Sequence, residues 1–310
     1  MSNSPHLDIP HPNPSPEGEG LSRAALVIHA RDSIAKGSRS FALASKLFDR
    51  PTRERAWLLY SWCRKCDDIA DGQDHGGALS PVENPQERLA FIRTMTELAL
   101  AGGVTGDPAF DALGLVANEC TIPHQWPRDL VQGFAMDADD FSPRTTADLF
   151  TYCYHVAGVV GLMMAKIMGV AEDDTETLGH ANDLGLAFQL ANIARDIGED
   201  ADAGRCYIPA TWLAKADIPP GEHMKQHYRE AMAGIGARLA EMAAVYEASA
   251  RVGAQRLPFR SRWAVLAAAG IYGDIAREVG RRGSGAWDGR VVTSRRAKAG
   301  WVAKAFLQAL

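Results

Sequence analysis

The 310-residue sequence predicts an all-α protein, and three observations support that fold class. Apolar residues recur at helical spacing along most of the chain. No stretch alternates apolar and polar residues for long enough to indicate a β-strand. No proline-rich linker divides the body of the chain, and no repeat of 20–50 residues is visible. We therefore expect residues 21–310 to form a single helical domain.

The first twenty residues differ from the rest of the chain. They contain five prolines and two glycines, and they lack the apolar run of a signal peptide. A segment of this composition cannot bury enough apolar surface to offset the entropy of ordering it. We expect residues 1–20 to be a disordered, proline-rich tail.

Start and stop signals divide the domain into eleven predicted helices. The first ends at Gly37, and the third follows Pro51-Thr52 and stops at Gly72. Gly102-Gly103 ends another, and two later helices each follow a Pro or Asp start signal. The predicted ranges are 21–36, 41–48, 53–71, 86–101, 108–120, 128–138, 146–168, 174–200, 221–256, 262–282 and 294–310, with a loop at 72–85 and a turn at 204–209.

Composition excludes several functional classes. A hydrophobic content of 46% and a net charge of −5 are typical of a globular chain and argue against nucleic-acid binding. Five cysteines without a secretory signal suit a reducing cytosol, and the Cys63-x-x-Cys66 pair falls inside a predicted helix, so we expect packing cysteines. The apolar stretch 156–171 is interrupted by Lys166 and three glycines, which predicts a buried core helix.

Two acidic rows about 130 residues apart are the most informative motifs. Asp67 and Asp71 stand four residues apart, as do Asp196 and Asp200, and Asn192 extends the second row by one more turn. Residues i and i+4 share one face of a helix, so each row projects its oxygens together. Clustered carboxylates without lysine neighbours suit Mg²⁺, which binds through a few carboxylates and substrate phosphates. The sequence thus predicts a helical enzyme that acts on a diphosphate.

Cationic and polar groups accompany both rows. Arg64 precedes the first row by one turn and shares its stripe with Tyr60, and Arg195 lies beside Asp196. Gln189 begins the stripe of the second row. The segment 37–41 joins two predicted helices and offers backbone amides, two hydroxyls and a cation to an anion. These groups could stabilise charge on a leaving diphosphate, or they could be ordinary ion pairs and half-buried residues.

Other sequence patterns do not by themselves indicate a functional site. An isolated pair of Asp residues four apart is usually a solvated face, and only the pairing of two such rows with arginines favours a metal site. The acidic run 137–140 has no i, i+4 pair, so we expect it on the surface. The sequence has no HExxH, GxGxxG or GxxxxGK[ST] pattern, so zinc chemistry, a dinucleotide fold and a P-loop are not indicated.

The motifs resemble those of the squalene/phytoene synthase family. Besides the two acidic rows, the matching segments occur in the family's order and cover roughly residues 30–300. Arg39 stands where the family usually has Lys, and Ala191 where Thr is common. The matching segments are 37–41 (GSRSF), 59–64 (LYSWCR), 152–158 (YCYHVAG), 186–192 (LAFQLAN) and 204–209 (GRCYIP).

The resemblance, nearest to bacterial phytoene synthases of carotenoid pathways, implies an isoprenoid-synthase helix bundle around a central apolar cavity. It implies Mg²⁺-dependent, head-to-head condensation of two geranylgeranyl diphosphates through prephytoene diphosphate to phytoene. Two inorganic diphosphates would leave, and no NADPH would be used. Mn²⁺ is an alternative metal. The implied location is cytoplasmic, with peripheral contact to the cytoplasmic membrane.

The resemblance also implies roles for individual residues. The metal ligands would be Asp67, Asp68, Asp71, Asn192, Asp196 and Asp200. The substrate-binding residues would be Gly37, Ser38, Arg39, Ser40, Phe41, Tyr60, Arg64, Tyr152, Val156, Gln189, Arg195, Tyr272 and Arg290. The catalytic residues would be Tyr60, Arg64, Asp67, Asp71, Asp196 and Asp200. Phe41, Tyr152, Val156, Gly161 and Phe188 are candidate walls of the cavity, although each could be plain core.

The length of the accepted chain stays open at this stage. Ala157, Gly158, Gly161 and Ala165 are small residues on one predicted helix, which could leave room for a long isoprenoid tail or could only permit close helix packing. The alternatives are an enzyme that makes dehydrosqualene, presqualene diphosphate or squalene from farnesyl diphosphate, and a non-catalytic scaffold of the same family. The scaffold is disfavoured because every Asp of both rows is present.

Overall fold

The computed structural model describes residues 20–73 and 83–310. Thirteen α-helices and no strand lie within these ranges, which confirms the all-α prediction. The expected tail lies outside the described residues except for Gly20. The helices are α1 (Arg23–Gly37), α2 (Arg39–Ser45), α3 (Arg50–Asp71), α4 (Pro85–Leu100), α5 (Pro108–Cys120), α6 (Gln125–Ala138), α7 (Thr146–Cys153), α8 (Val159–Ile167), α9 (Thr175–Asp202), α10 (Ala210–Lys215), α11 (Arg229–Ala254), α12 (Phe259–Arg282) and α13 (Arg295–Ala309).

Two predicted helices need correction, and one helix was not predicted. The predicted helix 146–168 is α7 and α8 joined by a π-helical turn, Tyr154–Gly158. The helix predicted from Gly221 begins only at Arg229, because Gly221 has a left-handed φ of 75° and cannot lie inside an α-helix. The six-residue helix α10 was missed because it is too short to show a period.

Side-chain caps determine where the two acidic helices begin. Asp49 accepts a hydrogen bond from the Thr52 amide at 3.0 Å at the start of α3, and Asp174 accepts one from the Thr177 amide at 3.1 Å at the start of α9. Gly72, with φ 65°, closes α3 directly after its acidic row. Such caps satisfy amides that have no partner inside the helix. They fix the register in which both rows are presented.

Helix α9 is the central helix of the domain and packs on α8, α11 and α12, whereas α3 packs on α1 and α5. One core region lies around Leu58 and Trp62 of α3, and a second lies around Leu190 of α9. The space between these two regions is the cavity described below.

The backbone of α9 approaches α8 and the π-helical turn before it closely at two glycines. A Cβ atom added at Gly161 would overlap the Ala181 carbonyl, and one added at Gly185 would overlap the Ala157 carbonyl. Gly161 therefore permits close helix packing. Because Gly161 also lines the cavity, the expectation that it leaves room for a substrate tail stays a prediction.

The helical run Thr146–Ile167 is long and apolar enough to cross a membrane by length and composition. In the structure it packs on α6 and α9 and lines the cavity, so its apolar side chains contact other helices and the cavity inside the domain. The five cysteines are free. Cys66, Cys120 and Cys153 are buried, as expected for packing residues.

Candidate active site

A cavity of about 1080 Å³ runs between α3, α8, α9, α11 and α12. The acidic rows line one end of it, which we call the mouth, and small and apolar side chains line the rest. Thr177 and Asp196 of α9 both line it and are nineteen residues apart, a span of about 28 Å at 1.5 Å per residue. That depth is close to the ~30 Å hydrocarbon core of a bilayer, so the cavity is long enough for an extended lipid tail.

The first acidic row lies on the cavity side of α3. Asp67, Asp71, Tyr60 and Arg64 all line the cavity. Arg64 Nη1 is 3.6 Å from Asp67 Oδ2, and Arg64 Nε donates to the Tyr60 hydroxyl at 3.3 Å. Asp68 is not among the described residues that line the cavity; its Oδ1 atom is 3.8 Å from Arg64 Nη1.

The second acidic row lies on α9, where Gln189, Asn192, Asp196 and Asp200 line the cavity. The Asn192 Oδ1 atom is buried and has no hydrogen-bond partner in the part of the chain that the structure describes. An unsatisfied buried acceptor is costly. It suits an oxygen ligand for a cation.

Arginines surround the second row. Arg195 Nε donates to Asp196 Oδ1 at 2.7 Å, and Arg290 Nη2 lies 3.3 Å from the same oxygen. Arg290 also pairs with Glu199, a cavity-lining residue that the sequence analysis did not select. Burial lowers the pKa of Arg195, but the hydrogen bond to Asp196 and the charge of that carboxylate outweigh it, so the pKa is above its ordinary value and this group stays charged.

Asp137 corrects a prediction. It was expected on the surface, but it is half-buried at the end of α6 and lines the cavity. Its carboxylate accepts hydrogen bonds from the Tyr152 hydroxyl at 3.2 Å and the Tyr207 hydroxyl at 2.8 Å. No i, i+4 partner marks Asp137 in the sequence. The available signals were its two partners, Tyr152 and Tyr207, which lie inside the family segments 152–158 and 204–209.

An ion pair connects this loop to the first acidic row. Arg205 Nη2 donates to Asp71 Oδ1 at 3.0 Å across 134 residues of sequence. Arg205 lines the cavity and was not selected from the sequence. With Arg64, Arg195 and Arg290 it completes a set of four guanidinium groups around the two acidic rows.

Three carboxyl groups at the mouth hold protons more tightly than usual. Burial, together with the neighbouring Asp71 and Asp68 charges, raises the pKa of Asp67 to about 7. Burial and Asp196 raise the pKa of Asp200 to about 7, and burial raises that of Asp137 to about 6. Although 44% of the Asp67 side chain is accessible, that surface faces the cavity. Like charges held in a partly dry space favour a bound cation.

The segment 37–41 contributes to the same mouth. Gly37, Ser38 and Phe41 line the cavity, and the Ser38 hydroxyl oxygen accepts from the Phe41 amide at 3.3 Å to begin α2. A Cβ atom at Gly37 would collide with the Tyr60 hydroxyl, so this segment lies tightly against α3. The side chains of Arg39 and Ser40 lie outside the described part of the structure.

Aromatic rings form the wall below the mouth. Phe188 and Tyr272 stack at 4.2 Å between ring centroids, and Phe41 and Tyr60 lie 5.5 Å apart. Burial raises the pKa of Tyr272, so its hydroxyl stays neutral. All five residues expected in the wall line the cavity, as do the expected substrate contacts Tyr272 and Arg290.

The donor set fits a hard divalent cation that is shared with a ligand. Within residues 20–73 and 83–310, no three His, Cys, Asp or Glu side chains converge closely enough to hold a metal by themselves. The two rows instead face each other across the mouth, with only oxygen ligands and the unpartnered Asn192 carbonyl. Mg²⁺ commonly binds in this way, through one or two carboxylates and substrate phosphates.

The match to a known family decides where this chain belongs. A profile of the squalene/phytoene synthase family matches residues 34–297. The chain belongs to this family. A phytoene synthase from Pseudescherichia vulneris is 45% identical over 277 residues, which covers 89% of each chain. A 15-cis-phytoene synthase from Pantoea ananas is 45% identical over 88% of this chain and 89% of its own.

Solved structures confirm the helical architecture. A dehydrosqualene synthase with bound ligand has a TM-score of 0.82 at 25% identity, covering 93% of this chain and 98% of its own. A squalene synthase from Alicyclobacillus acidocaldarius has a TM-score of 0.74 at 21% identity, covering 84% and 95%. At that identity the second match supports the fold alone.

Proposed function

We propose that this chain is a prenyltransferase that joins two geranylgeranyl diphosphates head to head and makes phytoene. The observation that carries the proposal is the pair of facing carboxylate rows at the mouth of a deep apolar cavity. Support for the product comes from relatives that are 44–46% identical and are named phytoene synthases. A cytoplasmic location, with peripheral contact to a membrane, belongs to the same proposal.

The proposed cofactor is Mg²⁺, with Mn²⁺ as an alternative. Asp67, Asp71, Asn192, Asp196 and Asp200 would hold it together with substrate phosphates. When bound, the metal neutralises charge on the diphosphate that leaves. Asp68 completes the expected ligand set, although it does not line the cavity among the described residues.

The arginines and the apolar wall do the rest of the proposed chemistry. Arg64, Arg195 and Arg290 can each donate two hydrogen bonds to diphosphate oxygens as the C–O bond breaks and its electron pair leaves with the diphosphate. The allylic cation that remains would lie beside the stacked rings of Phe188 and Tyr272, whose faces stabilise positive charge. The enclosed cavity keeps water from capturing the cation.

The proposed reaction balances without a reductant. The first cation alkylates the double bond of the second substrate and loses a proton, which gives the cyclopropyl intermediate prephytoene diphosphate. That intermediate loses its own diphosphate, rearranges and releases a second proton to give phytoene. Two diphosphates and two protons leave for each hydrocarbon formed.

The alternative is a C30 enzyme that uses farnesyl diphosphate, and the similarity to a solved dehydrosqualene synthase keeps it in consideration. The deciding experiment incubates the protein with geranylgeranyl or farnesyl diphosphate and Mg²⁺, without NADPH, and identifies the hydrocarbon by gas chromatography–mass spectrometry. We expect a C40 product. A C30 product with geranylgeranyl diphosphate refused would overturn the phytoene assignment and leave the family intact. No turnover of either substrate would favour a scaffold.

A further inference from the structure

Helix α13 has two apolar faces, and only one of them is covered. Ala305 and Ala309 are buried against α12. A second stripe on the same helix, Ala303, Phe306, Leu307 and Leu310, repeats at i, i+3, i+4 and i+7 and is exposed. Leu307 is 71% exposed and Leu310 is 79% exposed. A helix of a globular domain normally carries polar residues on its outer face, so this outer stripe requires an explanation.

The outer stripe continues onto the start of α12 through aromatic rings. Phe306 packs edge to face with Trp263 at 5.1 Å and with Phe259 at 5.7 Å between ring centroids. The Trp263 Nε1 atom donates to the Val302 carbonyl at 2.8 Å, which holds α12 and α13 together at this point. Phe259 is itself 39% exposed. The two helices therefore present one continuous apolar surface, which we call the α12–α13 face.

The segments that form this face are rich in cations, although Asp274 of α12 accepts a hydrogen bond from Trp301 Nε1 of α13. The segments 251–273 and 289–310 contain nine Arg and Lys residues and no Asp or Glu, in a chain whose net charge is −5. Several of these cations are used elsewhere, such as Arg290 at the active site. Arg295, Arg296 and Lys304 are exposed on α13 and have no ion-pair partner among the residues that the structure describes.

The α12–α13 face also lies next to the apolar part of the cavity. Ala264, Val265 and Ala268 line the cavity from the inner side of α12. Val265 and Trp263 pack in the same cluster as Val302 of α13. One helix therefore separates the outer stripe from the space proposed to hold the isoprenoid tails.

We propose that the α12–α13 face docks on a lipid bilayer with anionic headgroups. Exposed Leu and aromatic side chains enter the headgroup boundary, and unpaired Arg and Lys side chains attract the lipid phosphates. The inference rests on the proposed function, in which both substrate tails and the product are hydrocarbons that partition into membranes. A second copy of this chain would not be favoured, because the exposed Arg295, Arg296 and Lys304 would repel their counterparts on the other copy.

The test is flotation with vesicles of phosphatidylcholine containing phosphatidylglycerol, compared with phosphatidylcholine alone. We expect the full-length protein to float with the anionic vesicles and to be released by high salt. The double variant Leu307→Ser with Leu310→Ser should reduce the vesicle-bound fraction at least about tenfold, because it removes apolar groups that contact lipid. Arg296→Glu with Lys304→Glu should reduce it by a similar factor.

Matched controls are available on other surfaces. Val104→Ser with Val245→Ser changes two exposed apolar residues, and Arg93→Glu with Lys215→Glu reverses two exposed charges. Neither control should change flotation. Turnover of detergent-dispersed substrate should be the same in all variants, whereas turnover of vesicle-borne substrate should fall only in the α13 variants.

Three outcomes would overturn the proposal: no flotation of the unmodified protein, equal flotation of the α13 variants, or a dimer that the α13 variants convert to monomers while vesicles are not bound. Flotation requires no turnover. A protein that floats as expected but fails with detergent-dispersed substrate would therefore contradict the proposed function and leave the docking surface standing.

Discussion

At the scale of single residues, the acidic rows are the groups whose chemistry can be tested most directly. Asp67 and Asp196 lie on opposite sides of the mouth. Under the proposed function, Asp67→Asn or Asp196→Asn should lower turnover at least about 100-fold, because charge stabilisation at the leaving group is lost. Chelation of divalent metal should abolish turnover, and Mg²⁺ should restore it. Steady-state kinetics provides the measurement.

The control for this pair is Glu172→Gln, which neutralises an exposed carboxylate just before α9. It should behave like the unmodified protein. Near-normal rates in either Asp variant would remove the metal assignment from that row.

The arginines allow a second test in which the charge is kept. Arg64→Lys and Arg195→Lys should each lower turnover by about tenfold or more, because an ammonium group cannot donate in parallel to two phosphate oxygens. Arg31→Lys is the matched control, since among the described residues Arg31 pairs only with the adjacent, exposed Asp32. If both active-site variants kept full rates, Arg64 and Arg195 would be structural ion pairs.

At the scale of elements, the crossing of α8 and α9 depends on glycine. Gly161→Ala or Gly185→Ala should reduce the free energy of unfolding by about 1–3 kcal/mol, because the added methyl group meets a carbonyl oxygen of the facing helix. Gly179→Ala is the control on the same helix, since no atom of the described chain lies within 4 Å of its added Cβ. A thermal melt in which all three variants match the unmodified protein would contradict the close packing.

The length of the cavity can be tested from α12. Ala268 and Ala165 both line the cavity, but the Ala268 side chain is half-buried, whereas Ala165 is fully buried. Under the proposed function, Ala268→Phe should reduce C40 product at least about tenfold, because the larger ring occupies space needed by a tail. Ala244→Phe on the exposed side of α11 is the control. Product analysis beside a thermal melt separates a blocked cavity from a damaged fold.

At the scale of the whole molecule, the mouth makes stability depend on pH. The folded pKa values of Asp67 and Asp200 are about 7 and that of Asp137 is about 6, all above the ordinary value of 3.8. Their stabilising contribution is complete below pH 3.8 and is lost as the pH rises through about 6 and then about 7, because the unfolded chain has already released these protons. His223 opposes this trend, since burial lowers its pKa below 6.5.

We therefore expect metal-free protein to lose stability between pH 5 and pH 8, measured by denaturant unfolding in the presence of a chelator. In the Asp137→Asn variant, the free energy of unfolding should fall less steeply with pH below about pH 6.5, because one of the three titrating groups is gone. The control is Asp139→Asn, since Asp139 lies two residues after Asp137 and is exposed. If the free energy of unfolding of the Asp137 variant depended on pH as in the unmodified protein, the pKa of this carboxyl would not differ between the folded and unfolded states.

Much of the molecule could be predicted from the sequence, because the decisive signals were local. Caps and glycines marked most helix ends, and the i, i+4 spacing placed Asp67 and Asp71 on one face and Asp196 and Asp200 on another. Asp137 and Arg205 could not be found in this way, because their roles arise from contacts with distant residues. Whether the acidic rows act as proposed stays a prediction.

The π-helical turn between α7 and α8 helps to keep one row of side chains on the cavity side of this segment. Tyr152, Val156, Val160, Met164 and Met168 all line the cavity at intervals of four residues. In a regular α-helix such a row would rotate by about 40° at each step, and the wider π turn slows that rotation. Removing one residue here would advance the phase of everything after it by about 100° and turn Val160 and Met164 away from the cavity. The spacing of this wall thus tolerates exchange of side chains far better than deletion of a residue.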